Sequence, residues 1–308
     1  MEKSIIIKEW RARKKMKPKK KNDLIFVWSM LSIFIVYWLI FYLYVNIDSI
    51  LLAFQKVSGG WTTDNISVAW RALRDSGSEF RVAIKNTLTY FVKDVLMIPF
   101  QLLIAYFLHK KIYGYKFFRI VFYLPALISG VVTVTVYSTL IATYGPIGQL
   151  IEKITGDCPQ FLADSRYATR SILFYTIWLG WGGNMLIFGG SLARIPVEIF
   201  EAAKLDGVSV FRELIELILP LMWPTLSTLF VLNLTGLFNA GGPILLFDTS
   251  KLNVNIQTLG YWMFVKVWKF GASAYNEVAE IGLVLTTIGA PIIMTLRWLI
   301  DRVPKVEY

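Results

Sequence analysis

Between Leu24 and Ile47 the chain runs without a single charged side chain. A helix over that stretch is about 36 Å long at 1.5 Å per residue, enough to cross a hydrocarbon layer about 30 Å thick. Lipid offers no partner for backbone N–H and C=O groups, so an apolar segment of this length is restricted to a helix that satisfies them internally. A secretory leader is the rival reading. Its apolar region is only about 7–15 residues and runs into a small-residue cleavage site. Here the run is longer and ends in Asn46-Ile47-Asp48, so it reads as a retained span.

Five further stretches have the same character: Asn86–Leu108, Ile120–Ala142, Ser171–Leu192, Leu221–Phe238 and Ile281–Ile300. The fifth is the shortest, and Pro224 suits its first turn, where a missing N–H costs least. Thr258–Phe264 is apolar but too short to span; it reads as a re-entrant or interfacial piece with Trp262 and Trp268 at headgroup depth. Charged residues make up 17% of the chain, against about 25% in soluble domains. The fold class expected is an all-α membrane protein of six transmembrane helices.

Orientation follows from lysine and arginine. With the N-terminus in the cytoplasm, the inner segments carry 20 of these residues and the outer loops 11. The positive-inside rule therefore puts both termini in the cytoplasm. The net charge of +11 is concentrated in the tail, Lys3 to Lys21, which fixes topology and lies against anionic lipid headgroups. It lacks interleaved aromatics beyond Trp10, so nucleic acid is not the expected partner. The single Cys158 excludes a disulfide framework, and the single His109 excludes a His-rich zinc site. The chain divides into a basic tail (1–23), a first helix with its outer loop (24–80), a transmembrane domain (81–303) and a short cytoplasmic tail (304–308).

The segment between the fourth and fifth spans is no ordinary connector. Pro196 suits a helix start, and Glu198, Glu201, Ala202 and Ala203 are good helix formers. Asp206-Gly207 then reads as a break, since glycine accepts positive φ without steric cost. Ser209 can cap a second short helix, which Pro220 ends or kinks. Helix, turn and helix make a compact cytoplasmic elbow.

Glu201-Ala202-Ala203, three residues, Gly207, nine residues, Leu217, one residue and Leu219-Pro220 resembles the signature of the membrane subunits of ATP-binding-cassette importers. Leu217 stands where the signature has isoleucine, with Ile218 beside it. Asn86-Thr87-Leu88, the run from Phe117-Phe118-Arg119 to Tyr123-Leu124-Pro125, Trp181-Gly182-Gly183-Asn184-Met185 and Ile195-Pro196 are similar to the carbohydrate-uptake branch, that of maltose and multiple-sugar permeases. The likeness covers about residues 80 to 300.

The resemblance implies that Glu201, Ala202, Ala203, Asp206, Gly207, Leu217, Leu219 and Pro220 form the ATPase-coupling element. It implies a heterodimer with a second, similar permease subunit, two ATPase subunits, an extracellular substrate-binding protein and a sugar or oligosaccharide substrate, in a bacterial inner or plasma membrane. ATP and Mg would sit on the ATPase; this chain holds no cofactor and is no enzyme. In keeping with that, no glycine begins a G-x-x-x-x-G-K-[ST] loop.

Polar residues at membrane depth are costly and often face a cavity. Lys93, Asp94, Asn184, Asn233 and Asn239 qualify, and amides suit sugar hydroxyls because they both donate and accept. Trp181, Tyr175 and Phe188 offer faces for pyranose rings. The competing reading has Asn184 and Asn233 bonding across helices, and the aromatic residues in interfacial belts. Lys93 is expected near the outer end, snorkelling, and not facing its neighbour Asp94. Two rival functions remain: an ion-coupled secondary transporter, which would show paired ionisable residues near midplane, and the same importer class with amino acids, metals or polyamines as cargo. A membrane-embedded enzyme lacks a converging His/Asp/Glu cluster.

Overall fold

The computed structural model describes residues 19–56, 59–63, 67, 79–237, 243–248 and 253–303. Most of the basic tail, much of the first outer loop and the turn-rich passage containing Asn239 lie outside them. Among the described residues the chain is helical, apart from one isolated bridge between Gln55 and Trp61.

Helix α1 is continuous over residues 19–53, with a π segment at Leu39–Tyr44. It is apolar all round and none of its membrane-length window is buried within the chain, the pattern of a helix solvated by lipid. Its far end packs on the last helix, where Asn276 Nδ2 donates to the carbonyls of Leu52 (3.2 Å) and Gln55 (2.8 Å). Helix α2 (Glu79–His109) is the axis of the bundle. Phe80, Ala83, Thr87, Tyr90, Met97, Ile98, Gln101, Leu102, Ala105 and Tyr106 are its buried stripe, spaced by three and four as a 3.6-residue helix requires. Arg81 and Lys85 stand on its exposed face, which lets the helix begin well before Asn86, where the apolar run starts.

The third apolar stretch is two helices, α3 (Tyr115–Leu127) and α4 (Gly130–Ile141), divided at an extended Ile128-Ser129. A short amphipathic α5 (Pro146–Thr155) follows. The fourth is also divided: α6 (Ser165–Gly180) and α7 (Met185–Leu192) flank a turn at residues 181–184. The elbow consists of α8 (Val197–Leu205) and α9 (Val210–Leu221), and α10 (Trp223–Gly236) departs from α9 at 70°. Pro224 lies in the first turn of α10. Residues Glu213–Ile218 of α9 wind as a π-helix just before Pro220, a proline whose ring crowds the preceding turn and lacks an N–H. The sharp bend itself falls two residues later, at Met222.

After a short α11 (Ile244–Phe247), helix α12 (Leu259–Phe270) runs further than its apolar start suggested, because Lys266 within it pairs with Glu277 at 2.8 Å. Its Trp262 is a core residue packed at 5.2 Å on Phe80, not an interfacial anchor, whereas Trp268 is exposed. Helix α13 (Tyr275–Asp301) closes the bundle. Among the described residues, five helical segments are long and apolar enough to cross a membrane, or six with the bent α9–α10 pair counted as one span.

Since lipid tails are as apolar as leucine, these helices associate through close packing and interhelical hydrogen bonds. One cluster joins Ile98, Leu102 and Tyr106 of α2 to Phe188, Leu192, Ile218, Met222 and Leu226 at the elbow end. Another joins Tyr90 to Ile172, Ile244, Tyr261 and Val265 toward the opposite end. The close approach of α3 to the α6–α7 turn requires Gly182: a Cβ there would overlap the Phe122 carbonyl oxygen. Gly190 has open space around it. Gly182→Ala should therefore destabilise the protein by about 1–3 kcal/mol, and Gly190→Ala should be neutral, as read by thermal unfolding in mild detergent. Equal melting of the two variants would contradict the packing.

Candidate functional site

Two features stand at different depths of the bundle: an exposed elbow at one end and, between the helices, a cavity whose apolar walls carry a few polar groups.

The elbow is built by local rules. Pro196 is the N-cap of α8, one position before the first turn where it was expected, and Glu198 and Lys204 sit in the first and last turns, complementing the helix dipole. The helix stops in a Schellman motif. Val208 N–H donates to the Ala203 carbonyl (3.1 Å), Gly207 N–H donates to that of Lys204 (3.2 Å), and Gly207 has φ +68°. The spacing from Ala203 to Gly207 is thus the spacing of a helix stop. Ser209 caps α9, its hydroxyl accepting from Arg212 N–H at 3.4 Å. Ala203 is buried, with Ile199 and Phe200 partly covered beside it. Glu198, Glu201, Ala202, Leu205, Asp206 and Gly207 remain exposed, Leu205 at 89%. Leu217 and Pro220 are half-buried and Leu219 is exposed on α9, away from the α8 surface.

The cavity has a volume of about 710 Å³. Its walls include Thr87, Tyr90, Lys93 and Asp94 of α2, Thr176 and Asn184 near the α6–α7 turn, and Asn233 of α10. In the turn between α6 and α7 the Gly180 carbonyl accepts from Gly183 N–H at 3.2 Å and still faces α2. Buried Gln101 of α2 answers it, donating through Nε2 at 2.5 Å, and its Oε1 accepts from Asn184 Nδ2 at 2.8 Å. Asn184 therefore both bonds across helices and lines the cavity. Asn233 bonds within its own helix, to the Leu229 carbonyl at 2.9 Å, and lines the cavity too.

Lys93 is near the middle of α2, not its end, and its ammonium forms an ion pair with Asp94. The four-carbon lysine stem folds around the helix, so sequence neighbours meet despite pointing to different faces. Tyr90 presents a buried hydroxyl with no hydrogen-bond partner.

The aromatic residues expected at the sugar do not line this cavity. Tyr175 is fully buried, bonded through its hydroxyl to Thr133 at 2.8 Å and packed on Tyr137 of α4. Phe188 is fully buried in the elbow-end core. Trp181 packs against Phe100 and Phe122, away from the cavity. Asn239 falls outside the described residues. Gln101 and Tyr90 are further polar residues of α2 at this place in the bundle, and the amide inside the apolar run 95–108 is the signal for Gln101 in the sequence.

Among the described residues, five or six helical segments able to cross a membrane, a half-open cavity of mixed apolar and polar lining and an exposed elbow at one end define a multi-pass membrane protein. No protein-family model matches the chain. In sequence it is similar to protein LplB of Bacillus subtilis, with 25% identity covering 87% of this chain and 86% of that one. It is also similar to the arabinooligosaccharides transport system permease protein AraP of the same organism, with 26% identity over 83% and 82%. The maltose/maltodextrin permease protein MalF of Klebsiella aerogenes is 22% identical, and the match spans half of that longer protein. In structure the chain superposes on a chain of a bacterial ABC transporter involved in alginate import, with a TM-score of 0.79, 21% identity and coverage of 93% of this chain and 99% of that one. The sequence relatives thus include sugar-transport permeases, and the fold is shared with a chain of a bacterial ABC transporter.

Gln101→Leu should leave the Asn184 amide without its partner and the Gly180 carbonyl with only its bond from Gly183 N–H, and destabilise the protein by about 1–3 kcal/mol. Thermal unfolding checks this, and Gln101→Glu is the informative companion, because it keeps the acceptor for Asn184 and loses the donor.

Proposed function

We propose that this chain is the transmembrane permease subunit of an ATP-driven importer that moves a sugar or oligosaccharide into the cytoplasm. The observation that carries the reading is the elbow: a helix stopped by Gly207, exposed along Glu201, Ala202 and Leu205, at one end of a bundle whose interior holds the cavity. In this reading both termini and the elbow face the cytoplasm, as the distribution of lysine and arginine supports. The exposed face of α8 docks on a separate ATPase, which holds ATP and Mg. Two such ATPases and a second permease subunit complete the membrane complex. A substrate-binding protein delivers cargo from outside; one structural neighbour is an alginate transporter in complex with an alginate pentasaccharide-bound periplasmic protein.

The cavity suits a polyhydroxylated cargo because its walls mix apolar area with amides and hydroxyls that can switch between donor and acceptor. Closure of the ATPases on ATP would displace the elbow, and the cavity would open alternately to the two sides. One observation favours the ion-coupled alternative: the Lys93–Asp94 pair lies in the cavity wall, where such transporters carry ionisable groups.

Affinity purification of the chain from its native membrane in mild detergent separates the two readings. A nucleotide-binding subunit and a second multi-span subunit are expected to co-purify. A chain recovered alone, with uptake that follows an ion gradient, would establish the alternative. Gly207→Trp tests the elbow directly. Nothing crowds a Cβ at that position, so the substitution acts through the left-handed backbone, at about 1–2 kcal/mol, and through bulk on the docking surface. The chain should reach the membrane while ATP hydrolysis uncouples from uptake; normal transport would argue against docking.

At the cavity, Asn233→Ala should raise the half-saturating sugar concentration about 2- to 10-fold if cargo bonds its amide oxygen. Sugar uptake with an unchanged half-saturation point would remove Asn233 from the binding surface.

A further inference from the structure

The elbow meets the rest of the bundle by two routes of different stiffness. The covalent route leads from α9 into α10, through the π segment at Glu213–Ile218 and the 70° bend at Met222. Irregular winding and a sharp bend make that route compliant. The second route is a side-chain tie to the end of α2. Lys110, whose N–H still donates to the Tyr106 carbonyl at 2.9 Å, reaches Glu213 Oε2 with its ammonium at 2.7 Å. Glu213 is 3% exposed, and its other oxygen has no partner.

The same ammonium stands 5.6 Å from the Phe200 ring of α8 and 5.7 Å from that of Tyr106. The His109 ring lies 5.4 Å from Phe200, and the Tyr106 hydroxyl donates to the Val210 carbonyl at 3.4 Å. One cation therefore holds both arms of the elbow. A buried carboxylate stripped of its cation is strongly unfavourable, whereas the exposed Arg212–Glu216 pair on the outer face of α9 contributes little.

From Lys110, α2 runs as one helix, with Pro99 inside it, to Asp94, Lys93 and Tyr90 in the cavity wall, a length of about 24–30 Å at 1.5 Å per residue. We propose that Lys110 is a positioning residue that locks the elbow to α2, so that displacement of α8 reaches the cavity through α2 while the α9–α10 bend absorbs the remaining rotation. This rests on the importer reading above. The tie need not open during transport; it must be present.

The test uses the complete transporter, purified with its ATPase and reconstituted in vesicles, with sugar uptake and ATP hydrolysis measured together. Lys110→Met keeps the aliphatic stem and loses the charge. It should leave the amount of bound ATPase unchanged and lower sugar moved per ATP by about fivefold or more. Because lone Glu213 could disturb folding, Lys110→Met/Glu213→Gln removes both charges, and it should fold as the parent does yet stay uncoupled. In a Cys158→Ser background, Lys110→Cys/Glu213→Cys joined by a short bis-maleimide should restore coupling relative to the unlinked pair. Parent-like sugar per ATP in the doubly neutral variant, or loss of transport on cross-linking, would overturn the tie while leaving the importer reading intact. Absence of any ATPase from the purified parent would overturn the importer reading and the tie with it.

Discussion

Every interruption of a helix at membrane depth strands backbone groups that lipid cannot satisfy, and the architecture of this protein turns on how its interruptions are answered. At the α6–α7 turn the Gly180 carbonyl accepts from Gly183 N–H, and Gln101 reaches across from α2 to donate to it a second time while accepting from Asn184. The turn can lie against α3 because residue 182 has no side chain. One amide and one glycine thus stabilise a break that would otherwise be untenable, and the break opens the cavity wall. The polar residues at the site and the packing that surrounds it have the same origin.

Helix α2 links the parts. Its buried stripe contacts the elbow-end core through Ile98, Leu102 and Tyr106 and the far core through Phe80, Ala83 and Tyr90. It supplies Tyr90, Lys93 and Asp94 to the cavity and, just beyond its end, the ammonium that neutralises Glu213. Helix α1 is the counterexample: apolar on every side, it meets the bundle mainly where it packs on α13, and its remaining surface is satisfied by lipid or by another protein chain. Pro220 and the π turn before it let α9 enter the bundle at a steep angle to α10, so the elbow can lie across the end of α2 and not extend from it.

Features that depend on a few neighbouring residues were legible. The apolar runs marked the spans, because charge in lipid is costly wherever it occurs. Asp206-Gly207 and Ser209 marked the stop of one elbow helix and the cap of the next, since both are set by local φ and local hydrogen bonds. Where reading faltered, a side chain's partner was the missing fact. Lys93 was expected to snorkel and instead pairs with Asp94; α12 continues through a lysine that finds Glu277; Trp262 is core and not belt. Tyr175 and Phe188 have the chemistry of a sugar platform, but their helix faces turn toward α4 and α2.

The sequence by itself determined that the chain is a multi-span helical membrane protein with a glycine-stopped elbow ahead of its penultimate apolar stretch. Those properties follow from hydrophobic length and local backbone preference, which need no distant contact. Only the tertiary structure decided which amides face the cavity, that Gln101 supports the α6–α7 turn, and that Lys110 grips the elbow. Each of these depends on residues roughly 80 to 100 positions apart being brought within hydrogen-bond reach. Helical periodicity alone constrains which face a side chain occupies but not what that face meets.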